Sequence, residues 1–314
     1  MRQYQELIQT VMKKGRLRKT SVQGPGTKVR LVHEMRFDLS EGFPLMTIRS
    51  LEGRSWKAAV GELLWFLSGS TNIEDLHKVG VHLWDRWATP KICAQYGLPA
   101  GELGRIYGAQ WRSWRKAENE TVDRIQEIVR ESSISPKFKV ESIRRLLRGR
   151  PKGGETIDQV ARLIEEIKTN PDSKRMMVNS WNAEDVKNVF IAPCHATPFK
   201  VMVAEGIIDL VNVQRSADVL IGVPFNVASY ALLLMMIAQV TDLTPGELIC
   251  VTLDSHIYED QFPFVQEVLS REPGTLPTVK LNPEIKDLFE FSFEDVSLEN
   301  YNPHPPIKGI PVGV

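Results

Sequence analysis

The chain has 314 residues, 42% hydrophobic and 25% charged, a composition that excludes global disorder and a length that suffices to bury a sizeable core. Its 39 Lys and Arg balance 39 Asp and Glu, so no net field draws it to nucleic acid or to an acidic membrane. Three cysteines (Cys93, Cys194 and Cys250) are too few for a disulfide framework, and no close pair has zinc-knuckle spacing.

Residues 1–20 read as a helix with Tyr4, Leu7, Ile8 and Val11 on one face, lacking the unbroken apolar stretch of a signal peptide. The turn Gln23-Gly24-Pro25-Gly26 leads into an alternating, half-buried strand over 28–37. Residues 56–68 form a strongly apolar helix interrupted by Glu62, and Gly69-Ser70-Thr71-Asn72 opens a second helix that runs to Trp84 and Trp87. Residues 88–106 read as loop. Residues 116–152 are the least core-like: over 137–152, seven Lys and Arg face Glu141 alone. A solvated helical insertion is the plainer reading of that run, because aromatic side chains hardly interleave with the charges.

An amphipathic helix is predicted over 156–168 and strands over 175–181, 197–203 and 207–215, the last two joined at Glu205-Gly206. A nearly all-apolar helix over 227–240, too short to span a bilayer, precedes a strand over 248–253. The tail, 301–314, is rich in Pro and Gly, and no internal repeat is present. A soluble intracellular protein is expected, in a reducing cytoplasm or, for a viral chain, the host's. The irregular interleaving of strands and helices predicts α+β rather than a doubly wound sheet.

Several residues look chemical. Cys194-His195 follows Pro193 at a strand start; such a thiol is either an inert core cysteine or, with stabilised thiolate, a nucleophile. Gln214-Arg215-Ser216-Ala217-Asp218 closes a strand with a polar cluster suited to phosphate, or merely to a surface ion pair. Glu62 sits on an otherwise apolar turn, where a buried carboxylate costs several kcal/mol unless paired or protonated. Asp254-Ser255-His256-Ile257-Tyr258 ends another strand, and Trp84 and Trp87 share a helix face that suits core packing or the stacking of a flat ring.

In order and spacing, four stretches resemble the thymidylate synthase family: Glu62-Leu63-Leu64-Trp65-Phe66-Leu67, Ala192-Pro193-Cys194-His195, Gln214-Arg215-Ser216 with 222–230, and Asp254-Ser255-His256-Ile257-Tyr258. Tyr107-Gly108-Ala109-Gln110-Trp111-Arg112, Asn170-Pro171-Asp172-Ser173-Lys174-Arg175 and the ending from Asn302-Pro303-His304 to Pro311-Val312-Gly313-Val314 support the match. The resemblance implies one α+β catalytic domain over 1–314, with insertions at 88–102 and 116–152. Its large bent mixed sheet, flanked by helices, would pack sheet-to-sheet into a homodimer.

It also implies the chemistry: Cys194 attacks carbon 6 of the uracil of dUMP, carbon 5 takes a methylene unit from the co-substrate 5,10-methylenetetrahydrofolate, and hydride completes the methyl of dTMP, leaving dihydrofolate. Metal and membrane are not expected. Arg215, Ser216 and Gln214 would hold phosphate with Lys174 and Arg175 of a second copy; Asn226 would read the uracil edge, favouring dUMP over dCMP; His256 and Tyr258 would hold the sugar hydroxyl. Glu62, Tyr107, His195 and Asp218 would join Cys194 in the catalytic set, Glu62 with Tyr107 and His195 organising the waters that move protons. Asp218 would bind the pterin, with Arg49, Trp84, Trp87, Ile221, Gly222 and Phe225 on the folate side and Val314 closing over the ligands.

Some positions depart from the family. Val22 stands where a phosphate-binding Arg is usual, near Arg16, Arg18 and Lys19; Lys174 replaces a common Arg; Ala196-Thr197-Pro198-Phe199-Lys200 replaces an aromatic-rich run; and Thr252-Leu253 replaces small residues. Residues 49–62 are also about three longer than usual. The alternative these raise is a dUMP hydroxymethylase, which adds water instead of hydride and releases tetrahydrofolate. A remote alternative is an RNA-binding protein using 137–152.

Overall fold

In the computed structural model, which describes residues 1–19, 25–115, 128–131, 135–140 and 156–312, the first helix is α1 (Arg2–Lys14). It buries Tyr4, Leu7, Ile8 and Val11, the face its periodicity predicts. The helix ends earlier than expected. Gly15 turns to extended backbone, and Arg16–Arg18 forms strand β1 instead, paired antiparallel with β2 (Thr27–Arg30). Leu17 is the one apolar residue of that triplet and is 63% exposed, so a helix continued through it would gain no core contact.

The strand expected over 28–37 divides into β2 and β3 (His33–Asp38) at Leu31-Val32, both exposed. Both pair antiparallel with the long strand β9 (Thr244–Tyr258) in one register, Arg30 opposite Ser255 and His33 opposite Thr252. The helices α2 (Arg54–Ser68) and α3 (Ile73–Lys78) follow, the second much shorter than expected. The expected loop 88–106 contains α4 (Pro90–Gln95), capped by the Thr89 side chain, and buries Cys93, Leu103 and Ile106. The thiol of Cys93 donates to the Glu102 carbonyl at 3.2 Å, so this cysteine has polar company that its neighbours in sequence do not reveal.

Next come α5 (Tyr107–Arg112), the pair β4 (Trp114–Arg115) and β5 (Thr156–Ile157), and α6 (Gln159–Thr169), which Asp158 caps by accepting from the Ala161 N–H. Of the strand expected over 175–181 only β6 (Met177–Val178) forms, and β7 is Phe199–Ala204. Thr197 and Pro198 still exchange backbone bonds with Val213, so Pro198 sits just ahead of the ladder and not within it. Most of 116–152, including its basic run beyond 140, lies outside the described residues, as do Val22, Gly24 and Val314.

The centre is β8 (Ile207–Asp218), α7 (Gly222–Val240) and β9, a strand–helix–strand unit with β8 and β9 parallel. The fold is α+β. Its seven-stranded mixed sheet runs β1-β2-β9-β8-β7-β6, with β3 also on β9. Helix α7 begins at Gly222 rather than 227, since Pro224 is tolerated in a first turn. At 19 residues it is long and apolar enough to cross a bilayer, contrary to the shorter estimate from sequence. It is a core helix, because 78% of its apolar window is buried inside the fold. Toward the carboxyl-terminal end lie helix α8 (Phe262–Ser270) and the antiparallel pair β10 (Thr278–Leu281) with β11 (Val296–Glu299), none of them expected from the sequence.

Alternation on β8 separates two faces. Ile208, Leu210, Asn212 and Gln214 are buried, while Val211 and Val213 are half-buried beside their β9 partners Ile249 and Val251. The buried face and its continuation into α7 fix where β8 ends, and therefore where the polar residues after Val213 emerge.

Candidate active site

Parallel pairing brings Ser216 opposite Asp254 and Asp218 opposite His256, so the polar strand ends meet at the carboxyl edge of the β8–β9 pair. Open sheets with a parallel pair characteristically bind ligands at that edge. Helix α7 begins four residues beyond Asp218, placing its N-terminus and Asn226 at the same edge.

Cys194 is held in place by its own backbone. Its N–H donates to the Tyr107 hydroxyl at 2.7 Å, and its carbonyl accepts from the Ser216 N–H at 3.2 Å. Arg215 reaches back to the same segment: Nε donates to Pro193 O at 3.1 Å, Nη2 to Ala192 O at 3.3 Å, and Nη2 lies 3.9 Å from the Cys194 Sγ. Its guanidinium also lies 5.0 Å from the centre of the Trp181 ring, a contact that gives Trp181 a role the sequence reading did not assign. Burial pushes the Cys194 thiol up, opposed by the positive charge of Arg215 and by hydrogen bonding with Tyr107 and Arg215. A guanidinium in that position is what a thiolate needs.

Beneath the cysteine, Phe66, Tyr107 and His195 stack in sequence, with ring centres 4.6 Å and 4.4 Å apart. Burial lowers His195 to about 3, so its imidazole is neutral at pH 7, and its Nδ1 lies 2.7 Å from the Tyr230 hydroxyl. Tyr230 is a second residue left without a role by the sequence reading; its place on the buried helix α7 is the available signal. Burial likewise raises Tyr107 well above its ordinary value.

Glu62 faces Trp84, whose Nε1 donates to Oε1 at 2.8 Å. Burial pushes the Glu62 carboxyl up to about 7, against the lowering by Trp84, so it holds or releases a proton near neutrality. Trp84 and Trp87 meet edge-on with ring centres 5.5 Å apart, and Trp84 lies 6.0 Å from Tyr107, which joins this wall to the cysteine.

Asp218 accepts from the Ile221 N–H at 3.1 Å and from Gln261 Nε2 at 3.3 Å, and burial raises its carboxyl. Gln261 also donates to Pro311 O at 3.0 Å, tying Asp218 to the carboxyl-terminal segment. Gly222 lies beside both ends of this cluster, since a Cβ there would sit 3.9 Å from Asp218 Cβ and from Asn226 Nδ2. Phe225 packs half-buried against the core, and Arg49 is buried with Nη2 donating to Leu220 O at 2.5 Å. The Nε atoms of Arg49 and Trp87 (Nε1) are buried with no hydrogen-bond partner. A flat aromatic wall, a buried carboxylate and these donors fit a heteroaromatic co-substrate with hydrogen-bonding ring edges.

Gln214 donates to Ser216 O at 3.2 Å, and His256 Nδ1 lies 2.9 Å from Asp254 O, with the Tyr258 ring edge-on at 5.2 Å. Hydrogen bonding with His256 is the main cause holding Asp254 down at about 2, assisted by an ion pair with Arg18 at 2.8 Å. Lys174 and Arg175 are both exposed. Arg175 borders a cavity of about 400 Å³ with Trp114, Arg162 and Glu166, whose lining does not include Cys194 or Arg215. Of the residues singled out in the sequence, contacts join Cys194, Arg215, Ser216, Tyr107, His195, Trp84 and Glu62 in one cluster, whereas Lys174 and Arg175 are exposed and Val314 lies outside the described residues.

Fold and geometry define an α+β protein whose strand-end cluster has the parts of nucleophilic catalysis: a thiol, a guanidinium beside it, and a carboxyl that titrates near neutrality. A sequence model of the family described as Thymidylate synthase matches residues 2–312, and the chain belongs to that family, whose members transfer one-carbon units.

Proposed function

We propose that the protein is a thymidylate synthase that converts dUMP to dTMP with 5,10-methylenetetrahydrofolate. The observation that carries this reading is the Cys194 thiol with Arg215 Nη2 at 3.9 Å and the Tyr107 hydroxyl on its backbone N–H. In this reading the Cys194 sulfur bonds to carbon 6 of the uracil, and the electron pair of the ring double bond moves to carbon 5, which becomes the nucleophile. Arg215 stabilises the thiolate and, with Ser216 and Gln214, holds the phosphate; Lys174 and Arg175 reach it from a partner copy. The half-buried apolar face around Val211, Val213, Ile249 and Val251 is the surface on which that homodimer forms.

Asn226, with one donor and one acceptor group, reads the uracil edge, while His256 and Tyr258 hold the sugar hydroxyl. When bound, 5,10-methylenetetrahydrofolate supplies the one-carbon unit and the hydride. Asp218 holds its pterin, and Arg49, Trp84, Trp87, Ile221, Gly222 and Phe225 line its side of the pocket. Glu62, with Tyr107 and neutral His195, moves protons at the uracil carbonyl and carbon 5. Val314 closes the site and excludes water. The setting is cytoplasmic.

The test is an incubation with dUMP and the co-substrate, reading nucleotide mass and dihydrofolate absorbance. A methylated nucleotide with dihydrofolate is expected; 5-hydroxymethyl-dUMP with tetrahydrofolate overturns the methyl product and makes the protein a hydroxymethylase. Cys194→Ser abolishes covalent trapping of 5-fluoro-dUMP; an adduct that persists in this variant overturns the nucleophile.

A further inference from the structure

A second constellation lies outside this pocket, on the segment that joins α3 to the tryptophan wall. Helix α3 ends in a tight reversal: Val79 and Gly80 donate to Leu76 O and His77 O, Val81 donates back to Leu76 O, and Gly80 is left-handed at φ +69°. The reversal folds His82 back over His77, bringing their ring centres to 4.5 Å. Asp85, at the start of the next turn, meets both: Oδ1 is 2.6 Å from His77 Nε2 and Oδ2 is 3.0 Å from His82 Nδ1. One ligand atom from each of the three lies within 4.8 Å of the others.

We propose that His77, His82 and Asp85 bind a divalent transition-metal ion of the zinc class. Two imidazole nitrogens and a carboxylate oxygen are a donor set that zinc and cobalt accept, at ligand distances of about 2.1 Å. Tetrahedral ligands at that distance stand roughly 3.4 Å apart, so the observed 2.6 and 3.0 Å spacings need to widen by about 0.8 and 0.4 Å, within reach of rotations of three partly exposed side chains. With neutral imidazoles the set carries one negative charge. The cations alongside are otherwise engaged, Lys78 with Asp75 at 2.6 Å and Arg86 over the Trp87 ring at 5.4 Å. All three groups are partly or fully exposed, so entry needs no opening of the fold and water completes the coordination. The spacing His-x4-His-x2-Asp is visible in the sequence, but its convergence depends on the turn at Gly80.

The location gives the ion a role. Asp85 directly follows Trp84, which donates to Glu62, and precedes Trp87 in the same turn. Bound metal pins that turn from its solvent side and holds the aromatic wall in place.

The test is independent of turnover. The full chain carrying Cys194→Ser, which removes the reactive thiolate as a competing ligand, is titrated with Co²⁺ and followed by visible absorption. One equivalent is expected, with d–d bands of a low-coordinate nitrogen–oxygen site, no thiolate charge-transfer band, and displacement by Zn²⁺. His82→Ala and Asp85→Asn in the same background should each weaken binding by about 10-fold or more, since even outer-sphere changes at metal sites cost about 10- to 100-fold. Zn²⁺ should raise the melting temperature of the parent but not of either variant. Melting in EDTA establishes that both variants fold. Absence of saturable binding, a thiolate band, or binding that both variants retain overturns the site and leaves Asp85 as a hydrogen-bond acceptor between two imidazoles.

Discussion

In the proposed function, the nucleotide side and the folate side of the site are built differently. On the first, Arg215, Ser216, Asp254 and His256 sit at the ends of two parallel strands in fixed register, and Arg215 is held on three acceptors of the 192–194 segment. On the second, Glu62, Trp84, Trp87 and Arg49 come from helices and turns and Asp218 alone from a strand end, spread over 170 residues of chain, and two buried donors there have no protein partner. A strand register places neighbours rigidly, whereas a wall assembled from separate turns depends on a few long-range bonds such as Trp84 to Glu62. The nucleotide side is therefore preorganised before ligand arrives, and the folate side owes more of its order to what it binds.

The largest effect should come from breaking the rigid side. Arg215→Ala removes both the charge beside Cys194 and three hydrogen bonds, and should lower kcat about 10²- to 10³-fold, the cost of deleting a preorganised donor at a reacting centre. Because Arg215 opposes the upward push of burial on the thiol, its loss should move the pH midpoint of Cys194 alkylation higher. Arg215→Lys should fall between, keeping charge but losing the fork. An alkylation midpoint unchanged in Arg215→Ala breaks the assignment of Arg215 as the thiolate's partner.

The same contrast decides what the sequence revealed. Polar clusters that close apolar strands, 214–218 and 254–258, stand out because their neighbours are so plainly core, and the structure brings both to one edge. Elements with a strong period, such as the buried face of α1, were legible for the same reason. The long strand β9 was read only over its apolar middle, because its first residues contain Pro245 and Gly246 and its last are the polar motif itself. The pair β10–β11 is not legible because each strand has four residues and the connection between them, 282–295, is far longer than a hairpin turn. Trp84 and Glu62, 22 residues apart, meet through tertiary packing alone, so their bond could not be read from spacing. Trp181 beneath Arg215 and Tyr230 beside His195 belong to the same class.

A smaller effect tests the folate side through proton linkage. Glu62 is pushed up to about 7 from an ordinary 4.5, so between those values the folded chain holds a proton that the unfolded chain has lost. Its contribution is full below about pH 4.5 and is lost as pH rises through 7, on the order of 3 kcal/mol across the window. His195 runs the other way: lowered to about 3, it favours the fold above 6.5 and loses that contribution as pH falls. From pH 4.5 to 6.5 the two slopes oppose and the parent should be nearly flat on their account. Glu62→Gln keeps an acceptor for Trp84 but removes one slope, so urea midpoints of the variant should fall on acidification through that window, while the variant gains on the parent between pH 5 and 8. Parallel pH profiles for parent and variant would show that Glu62 titrates normally and is not the proton store of the pocket. The kcat profile should lose its limb near pH 7 in the same variant.

The smallest effect separates burial from hydrogen bonding at His195. Tyr230→Phe removes the hydroxyl 2.7 Å from Nδ1 and leaves a buried ring nitrogen without that partner. The expected cost is about 1–3 kcal/mol, read as a lower urea midpoint with an unchanged m-value. Burial alone is what lowers His195, and the phenyl ring keeps the site as dry, so the imidazole should stay neutral throughout the range in which the chain is folded. Its NMR shifts should therefore be flat from pH 8 down to 5 in both parent and variant. A His195 titration that returns toward 6.5 in Tyr230→Phe would mean that the tyrosine, and not the stack of Phe66 and Tyr107 over the ring, keeps the charge out of the pocket floor.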